Sequence, residues 1–249
     1  MIYFVSLQYQ NLNLMSRMWK VMATLMLTMV VATGCNKSDE SNPGDNGNDL
    51  NGHEYVDLGL PSGTLWATCN IGADTAVEFG DYFAWGETEP KGLYDWKSYR
   101  YGRFIHERYE LNKYCTDSAY GLNGFVDNLT VMEPDDDVAR VCWGEGWRMP
   151  TIDEWGELSQ YTTGEWTSQN GVDGWLFTAS NGNRLFLPAA GYWWDDAFNA
   201  NLGLYWSRTI NKEFPYRAWG FHFNTDSGHL CGSSDRNRGQ TVRAVCSIK

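Results

Sequence analysis

The stretch GWRMPTIDEW, which ends at Trp155, constrains the fold more than any other part of the chain. Pro150 closes the segment before it, because a residue that precedes proline disfavours the helical conformation. Thr151 and Glu154 have the T-x-x-E spacing of a capping box, in which each side chain binds the backbone amide of the other residue. The sequence therefore predicts a strand or turn up to Pro150 and a helix after Thr151, with Trp147 and Trp155 buried at the corner.

The other elements are predicted to be mostly strands. EYVDLGL and TLWATC flank Pro61-Ser62-Gly63, which favours a hairpin or a tight corner. Residues 91–127 are rich in loop signals, and a second helix is predicted around Glu107–Lys113. Further strands are predicted at GDYFAWGE, RLFLPAAGYW, LGLYWSRT, YRAWGFHFN and TVRAVCSI. The expected fold class is α+β, with short irregular β-strands, one or two helices and long loops.

Residues 1–35 are expected to be a lipoprotein signal peptide. Arg17 and Lys20 precede an apolar run over residues 21–33, which is too short to span a bilayer but suits a signal peptide. The small residues before Cys35 resemble a bacterial lipobox, in which the cysteine is acylated and becomes the mature N-terminus. The alternative is an ordinary cleaved signal followed by a chance cysteine.

Residues 36–53 are expected to form a flexible tether, and residues 54–249 a single domain. The tether has one large apolar side chain, Leu50, which is too little to offset the entropy of ordering. Its acidic residues near Cys35 resemble the export signals of surface lipoproteins in Bacteroidetes-type bacteria; a solvated charge cluster is the alternative. An outer-membrane protein, lipid-anchored and exposed at the cell surface, is therefore expected.

Composition narrows the possible partners. The chain has 13 Trp, 14 Tyr and 11 Phe, enough aromatic side chains for a large core. Its formal net charge of −12 argues against nucleic acid and against anionic lipid head groups, because both would be repelled. The membrane is expected to be contacted through the lipid anchor only, and no cofactor is expected.

At CWGEGWRMPTIDEWGEL the chain resembles the Fibrobacter succinogenes major paralogous domain family, whose pattern is W-G-x-x-W-R-[ML]-P-T-x-x-E-[WF]. Further likenesses follow in the family's order over residues 54–247: YVDLGLPSGTLWATCNIGA, GDYFAWGETEPKGLYDW, MEPDDDVARVCWG, FLPAAGY, LYWSRT and GQTVRAV. The resemblance implies a C-type-lectin-like fold, which the formylglycine-generating enzymes and the variable proteins of diversity-generating retroelements share. It also implies adjacent termini and an edge built from long loops and late strands.

The residues give little support for catalysis or for a metal site. The chain has no G-x-S-x-G motif and no P-loop, and four histidines lack ligand spacing: His53, His106, His222 and His229. Formylglycine-generating relatives use a close cysteine pair, whereas Cys231 and Cys246 are fifteen residues apart. No enzyme is expected.

Two structural questions stay open at this point. Cys231 and Cys246 are the best candidates for a disulfide in an exported protein, with buried thiols as the alternative. The acidic run Asp135-Asp136-Asp137 offers oxygen ligands for calcium, but a solvated turn or a helix N-terminus is its more usual meaning.

The late part of the chain is the expected ligand-binding face. In WGFHFN, alternation places Phe221 and Phe223 toward the core and His222 and Asn224 outward, while GSSDRNRG is predicted to be a polar loop. In retroelement-diversified relatives this interval, which follows the YWS motif, carries the variable binding surface. The residues expected to converge there are Arg208, Tyr216, Arg217, His222, His229, Asp235 and Arg236. Trp219 is expected to pack inside.

The sequence therefore predicts a surface lipoprotein whose domain binds a glycan or a protein ligand. A structural or adhesin-accessory module without a small ligand is the first alternative. An enzyme related to formylglycine-generating enzymes is the second.

The lipobox interpretation is testable at one atom, since acylation requires the Cys35 thiol. The variant Cys35→Ser should carry no label from a fatty-acid precursor and should leave the detergent phase in phase partitioning. A labelled, membrane-partitioning variant would show that Cys35 is not the acceptor.

Overall fold

The computed structural model describes residues 48–226 and 228–247. The expected signal peptide, Cys35 and residues 36–47 of the expected tether lie outside them. The described chain forms fifteen strands, with these bounds: β1 Asp49–Leu50, β2 His53–Asp57, β3 Leu65–Asn70, β4 Gly102–Ile105, β5 Arg108–Leu111, β6 Trp147–Arg148, β7 Thr162–Gln169, β8 Val172–Ala179, β9 Arg184–Pro188, β10 Tyr192–Trp194, β11 Ala197–Asn199, β12 Gly203–Ile210, β13 Arg217–Asn224, β14 Gly228–Asp235 and β15 Arg243–Cys246. Its two α-helices are α1, Val138–Trp143, and α2, Ile152–Tyr161.

The predicted α+β class, with short strands and one or two helices, agrees with these elements. Of the described residues, 44% lie in strands or bridges and 11% in helices, so the sheets rather than the helices define the architecture. Short 3-10 turns at Leu122–Gly124 and Pro134–Asp136 interrupt the long connection between β5 and α1.

The first three strands and the last strand share a five-stranded sheet of order β1-β2-β3-β15-β6. β15 runs antiparallel to both neighbours, and Val245 pairs with Trp66 on one side and Arg148 on the other. Two three-stranded sheets, β7-β8-β9 and β12-β13-β14, and the hairpins β4-β5 and β10-β11 complete the fold. The pairing of β15 with β3 places the last strand in one sheet with the first three strands.

The corner at GWRMPTIDEW is confirmed in detail. Thr151 accepts a hydrogen bond from the Glu154 amide, and the Glu154 carboxylate accepts one from the Thr151 amide. Trp147 and Trp155 are 1% and 0% exposed. The indole nitrogen of Trp147 donates to the Leu50 carbonyl at 2.9 Å. Because both indoles are buried, the start of α2 is fixed to the sheet on either side of Pro150.

The Glu154 carboxylate joins three separate segments. It accepts hydrogen bonds from the Thr64 hydroxyl at 2.9 Å, from the Thr151 amide at 2.8 Å and from both terminal nitrogens of Arg148 at 2.7 and 2.5 Å. Burial raises the pKa of this carboxyl, but the Arg148 guanidinium and the other donors outweigh burial and lower the pKa from 4.5 to about 2. Glu154 is therefore ionised at neutral pH.

Three predicted elements need correction. The helix around Glu107–Lys113 is instead part of the β4-β5 hairpin, because His106 and Glu107 take positive φ angles of 49° and 60° and form its turn. GDYFAWGE makes only an isolated bridge, between Phe83 and Gln240. Half of the predicted polar loop GSSDRNRG belongs to β14, which extends to Asp235.

The folded domain also begins earlier than residue 54. β1 pairs with β2, and Leu50 packs against the core. The Asn51 amide donates to the carbonyls of Trp143 and Glu145 at 3.0 and 2.9 Å. The last residues of the expected tether are thus part of the sheet, because their backbone and amide groups find partners that composition does not show.

The two open structural questions receive answers. Cys231 and Cys246 are free thiols, the first exposed on β14 and the second buried in β15. Asp137 caps α1 through the Ala139 amide and also binds the Met149 amide. The Asp136 carboxylate accepts from Tyr101, Lys113 and Tyr114. These two carboxylates are occupied by protein donors, which agrees with the helix N-terminus rather than with a calcium site.

The corner predicts a graded series of stability losses. Thr151→Ala removes the cap and should lower the free energy of unfolding by about 0.5–2 kcal/mol. Trp155→Ala empties a buried site and should lower it by about 3–5 kcal/mol. Urea unfolding measures both, with Ser168→Ala on the exposed part of β7 as the control. Equal losses for Thr151→Ala and Ser168→Ala would contradict the capping role.

The depressed pKa of Glu154 predicts acid sensitivity. A carboxyl with a lowered pKa in the folded state contributes stability that is complete above its unfolded pKa and is lost as the pH falls through about 2. The stability difference between the wild type and Glu154→Gln should therefore shrink between about pH 6 and about pH 3. Denaturant titrations at both values measure this, with the exposed Glu165→Gln as the control. A constant difference would contradict the ion pair.

Candidate functional site

A groove lies on the β12-β13-β14 sheet, next to the β10-β11 hairpin. Its floor is a row across three strands, because Leu204 pairs with His222 and His222 pairs with Leu230. The groove has a volume of about 350 Å³, within the range of small-ligand sites. Its apolar lining residues are Tyr192, Leu202, Leu204, Phe223 and Leu230. Its polar lining residues are His222, Asn224, Ser233, Ser234 and Arg238.

The alternation predicted for WGFHFN accounts for the floor. Phe221 and Phe223 are 0% and 2% exposed and pack in the core, while His222 between them reaches the groove. Phe221 stacks on Trp155 of α2, with ring centroids 4.9 Å apart and planes 10° apart. The helix on one side of β13 thus fixes which side chains face the groove on the other.

Arg238 forms one wall of the groove. Its guanidinium lies over the rings of Trp194 and Tyr192, 4.7 and 5.4 Å from their centroids. Its backbone is fixed, since the Arg238 amide donates to the Asp235 carbonyl and the adjacent Gly239 exchanges two hydrogen bonds with Trp193. The cation is therefore positioned by the hairpin and by the turn after β14.

His222 is neutral at physiological pH. Burial, followed by the positive charges of Arg238 and Arg217, lowers its pKa from 6.5 to about 4. Its Nε2 lies 3.5 Å from the Ser234 hydroxyl. A neutral imidazole offers one donor and one acceptor, so His222 can orient a ligand through a hydrogen bond without adding charge.

The seven residues expected to share one exposed surface do not do so. Of these, His222 alone lines the groove. Arg217 and Asp235 face each other across β13 and β14 with a nitrogen–oxygen distance of 3.6 Å, and Arg217 also donates to the Ser233 carbonyl. Tyr216 stacks on Tyr109 at 3.9 Å. These three form a neighbouring patch whose side chains are already engaged.

Arg236 was wrongly expected on the outer face. It is 0% exposed, and its guanidinium donates to the carbonyls of Tyr101, Lys113 and Tyr114 at 3.2–3.3 Å. It also lies 5.5 Å from the ring of Trp85. The polar sequence around Arg236 conceals this burial, because the carbonyls that hold it come from a loop more than a hundred residues earlier.

Arg208 and His229 also belong elsewhere. Arg208 donates to the Met132 carbonyl and lies 3.8 Å from the Asp137 carboxylate. The His229 Nε2 is 2.7 Å from the Ser159 hydroxyl of α2, and its ring packs 5.0 Å from Trp175. His229 faces α2 because it sits one residue out of phase with Leu230 on β14. Trp219, expected inside, is half-buried.

Sequence reasoning missed Arg238, Tyr192 and Leu230. The available signal was the run YWWDDAF, in which two short aromatic segments flank Asp195-Asp196 as a hairpin would. That hairpin supplies the rings beneath Arg238.

Comparison of the chain with protein-family models, with curated proteins and with solved structures finds no match. Within residues 48–226 and 228–247, no three or more His, Cys, Asp or Glu side chains are grouped so as to hold a metal ion. Over the same described stretches, no helix is both long and apolar enough to cross a membrane.

The burial of Arg236 predicts a structural phenotype. Arg236→Ala would leave three carbonyls without their donor and should lower the free energy of unfolding by more than about 3 kcal/mol. Arg184→Ala, on an exposed part of β9, should change it by less than about 0.5 kcal/mol. Chemical denaturation distinguishes the two. If Arg236→Ala were as stable as the wild type and had lost only ligand binding, the result would support the original prediction that Arg236 contacts the ligand.

Proposed function

We propose that the protein is a lipid-anchored protein of the outer-membrane surface whose C-type-lectin-like domain binds a glycan or protein ligand. The groove on the β12-β13-β14 sheet is the binding site. The observation that carries this proposal is the row of Leu204, His222 and Leu230, which is open on one side of the sheet and braced by the core on the other.

The contacts between the family-like motifs support the fold assignment. The indole of Trp206, in LYWSRT, donates to the Phe83 carbonyl in GDYFAWGE at 2.8 Å. Trp85 returns a 2.7 Å hydrogen bond to the Ser207 carbonyl. Trp155, in the helix corner, lies 4.6 Å from Trp66 in TLWATC. The segments that carry the resemblance therefore contact one another inside the domain, in two hydrophobic clusters.

A glycan fits this groove better than a protein surface does. The groove is concave and small, and it combines aromatic and aliphatic walls with polar lining residues that include His222, Asn224 and Arg238. Apolar ring faces and convergent hydrogen-bonding groups are what a sugar ring requires. A flat protein partner would reach the rim but leave these inner groups unpaired.

The cysteines support a non-catalytic function. Burial raises the pKa of the Cys246 thiol to about 11, whereas Cys231 lies exposed on β14. Thiolate rather than thiol is the nucleophile, so a raised pKa disfavours cysteine chemistry at neutral pH. The two sulfurs also belong to different sheets, unlike the close pair of formylglycine-generating enzymes.

One observation favours an accessory role as the second candidate. β7 is eight residues long and pairs only with β8, so within the described chain its outer edge is open. An open edge can add a strand from another chain. Its side chains are mostly polar, with Glu165 at the centre, which reduces indiscriminate pairing.

The binding proposal predicts a selective loss in one variant. Leu230 is 48% exposed at the groove, and Val141 is 51% exposed on α1. Leu230→Ser should weaken binding to glycan ligands identified on an array by about tenfold, because apolar contact area is lost. Val141→Ser should bind normally, and both should keep the wild-type melting temperature. Unchanged binding by Leu230→Ser to every identified ligand would move the site away from the groove.

A further inference from the structure

The Arg238 guanidinium is held in place by two aromatic rings, and protein acceptors in the described part of the chain do not occupy its N–H donors. It lies over Trp194 and Tyr192, and within the described residues its side chain makes no hydrogen bond to the protein. Among the described residues Arg238 forms no salt bridge within 4.0 Å; Asp235, which pairs with Arg217, attracts it only at longer range. Ring stacking fixes the plane of a guanidinium while leaving its edge donors available. Arg238 thus presents a positioned fork of N–H groups at the groove.

Arg238 is the one cationic side chain among the described residues that line the groove, because the other basic groups nearby are either engaged or neutral. Arg217 is engaged by the Ser233 carbonyl and by Asp235. His222 is neutral, as shown above. Among the described lining residues Arg238 alone carries a full charge. Asp195 and Asp196, in the β10-β11 turn, are exposed and do not line the groove.

The aromatic rim beside Arg238 remains accessible. Trp194 is 50% exposed although Arg238 covers part of its ring. Exposed rings next to an arginine can pack against the apolar face of a sugar while the arginine binds a substituent on that sugar.

We propose that the ligand is an anionic saccharide, a sugar bearing a carboxylate or a sulfate group that Arg238 binds through two N–H donors. This inference rests on the proposed binding function of the groove and names the chemical class of its ligand. Tyr192 and Leu230 contact the sugar ring, and the His222 imidazole binds one of its hydroxyl groups. A neutral sugar would remove water from Arg238 without offering it a negatively charged acceptor. The lost hydration of the guanidinium would then weaken binding.

The selectivity must come from this local site. With a formal net charge of −12, the chain as a whole repels polyanions. Non-specific attraction therefore does not explain any preference for an acidic sugar over its neutral counterpart. Removal of one cation at the groove should abolish the preference, and removal of a cation elsewhere should not.

The test uses matched probes and the full-length chain purified in detergent. Oligogalacturonate is compared with its fully methyl-esterified form, which keeps the sugar ring and removes the charge. Dextran sulfate is compared with dextran in the same way. Calorimetry or surface plasmon resonance should show that the wild type binds at least one acidic probe about tenfold or more tightly than its neutral partner.

The variants locate the effect. Arg238→Gln should bring the acidic and neutral probes to equal affinity, and Arg238→Lys should give an intermediate preference because it keeps the charge but loses the fork. Arg217→Gln removes one charge from the neighbouring patch and should keep the wild-type preference. Melting temperatures confirm that each variant is folded.

Each outcome has a defined meaning. A preference in the galacturonate pair alone identifies a carboxylate, and a preference in the dextran pair alone identifies a sulfate. Equal wild-type binding of charged and neutral probes, lost in Leu230→Ser, overturns the anionic class but leaves the groove as the binding site. Absence of binding to all four probes overturns the anionic-saccharide proposal; if array ligands still depend on Leu230, the binding function stands. A preference that survives Arg238→Gln overturns the role of Arg238.

Discussion

The ion pair between Arg148 and Glu154 is the contact on which the site ultimately depends. Glu154 lies in the first turn of α2, Arg148 ends β6, and the same carboxylate binds the Thr64 hydroxyl before β3. This fixes the angle at which α2 meets the central sheet. Trp155, one residue further on, can then stack on Phe221 beneath β13. The groove is open on one side of β13 because this helix supports the other.

Two buried arginines connect segments of the chain that neither helices nor sheets hold together. Arg243 on β15 donates to the Asn70 side chain and to the carbonyls of Ala67 and Phe186, which joins three strands. Arg236 does the same for the loops that contain Tyr101 and Lys113. Burial lowers the pKa of both guanidinium groups, but arginine remains charged in proteins, so each needs its carbonyl partners. Long irregular segments are thus held by side chains that point inward.

Local signals made part of this structure predictable. The capping box, the late strands and the inward phenylalanines of β13 follow from spacing and alternation alone. The β7-β8 hairpin was missed although Asn170-Gly171, with positive φ angles of 50° and 80°, is a strong turn signal. Arg236 and Arg238 differ by two positions in one polar run, yet one is buried and the other lines the groove. The two arginines differ because distant backbone carbonyls hold Arg236, whereas the rings of Tyr192 and Trp194 hold Arg238. Local sequence spacing does not predict these long-range partners.

The same sheet therefore carries two kinds of residue under different constraints. Phe221 is locked against Trp155, so a change there would disturb α2 and the core. His222 and Leu230 are paired across the groove face, where the backbone register rather than the side chains holds the strands together. Their identity can change while β13 and β14 stay in place. Under the proposed binding function, such a surface can acquire a new ligand preference through a few side chains, because the core lies on the opposite face of the sheet.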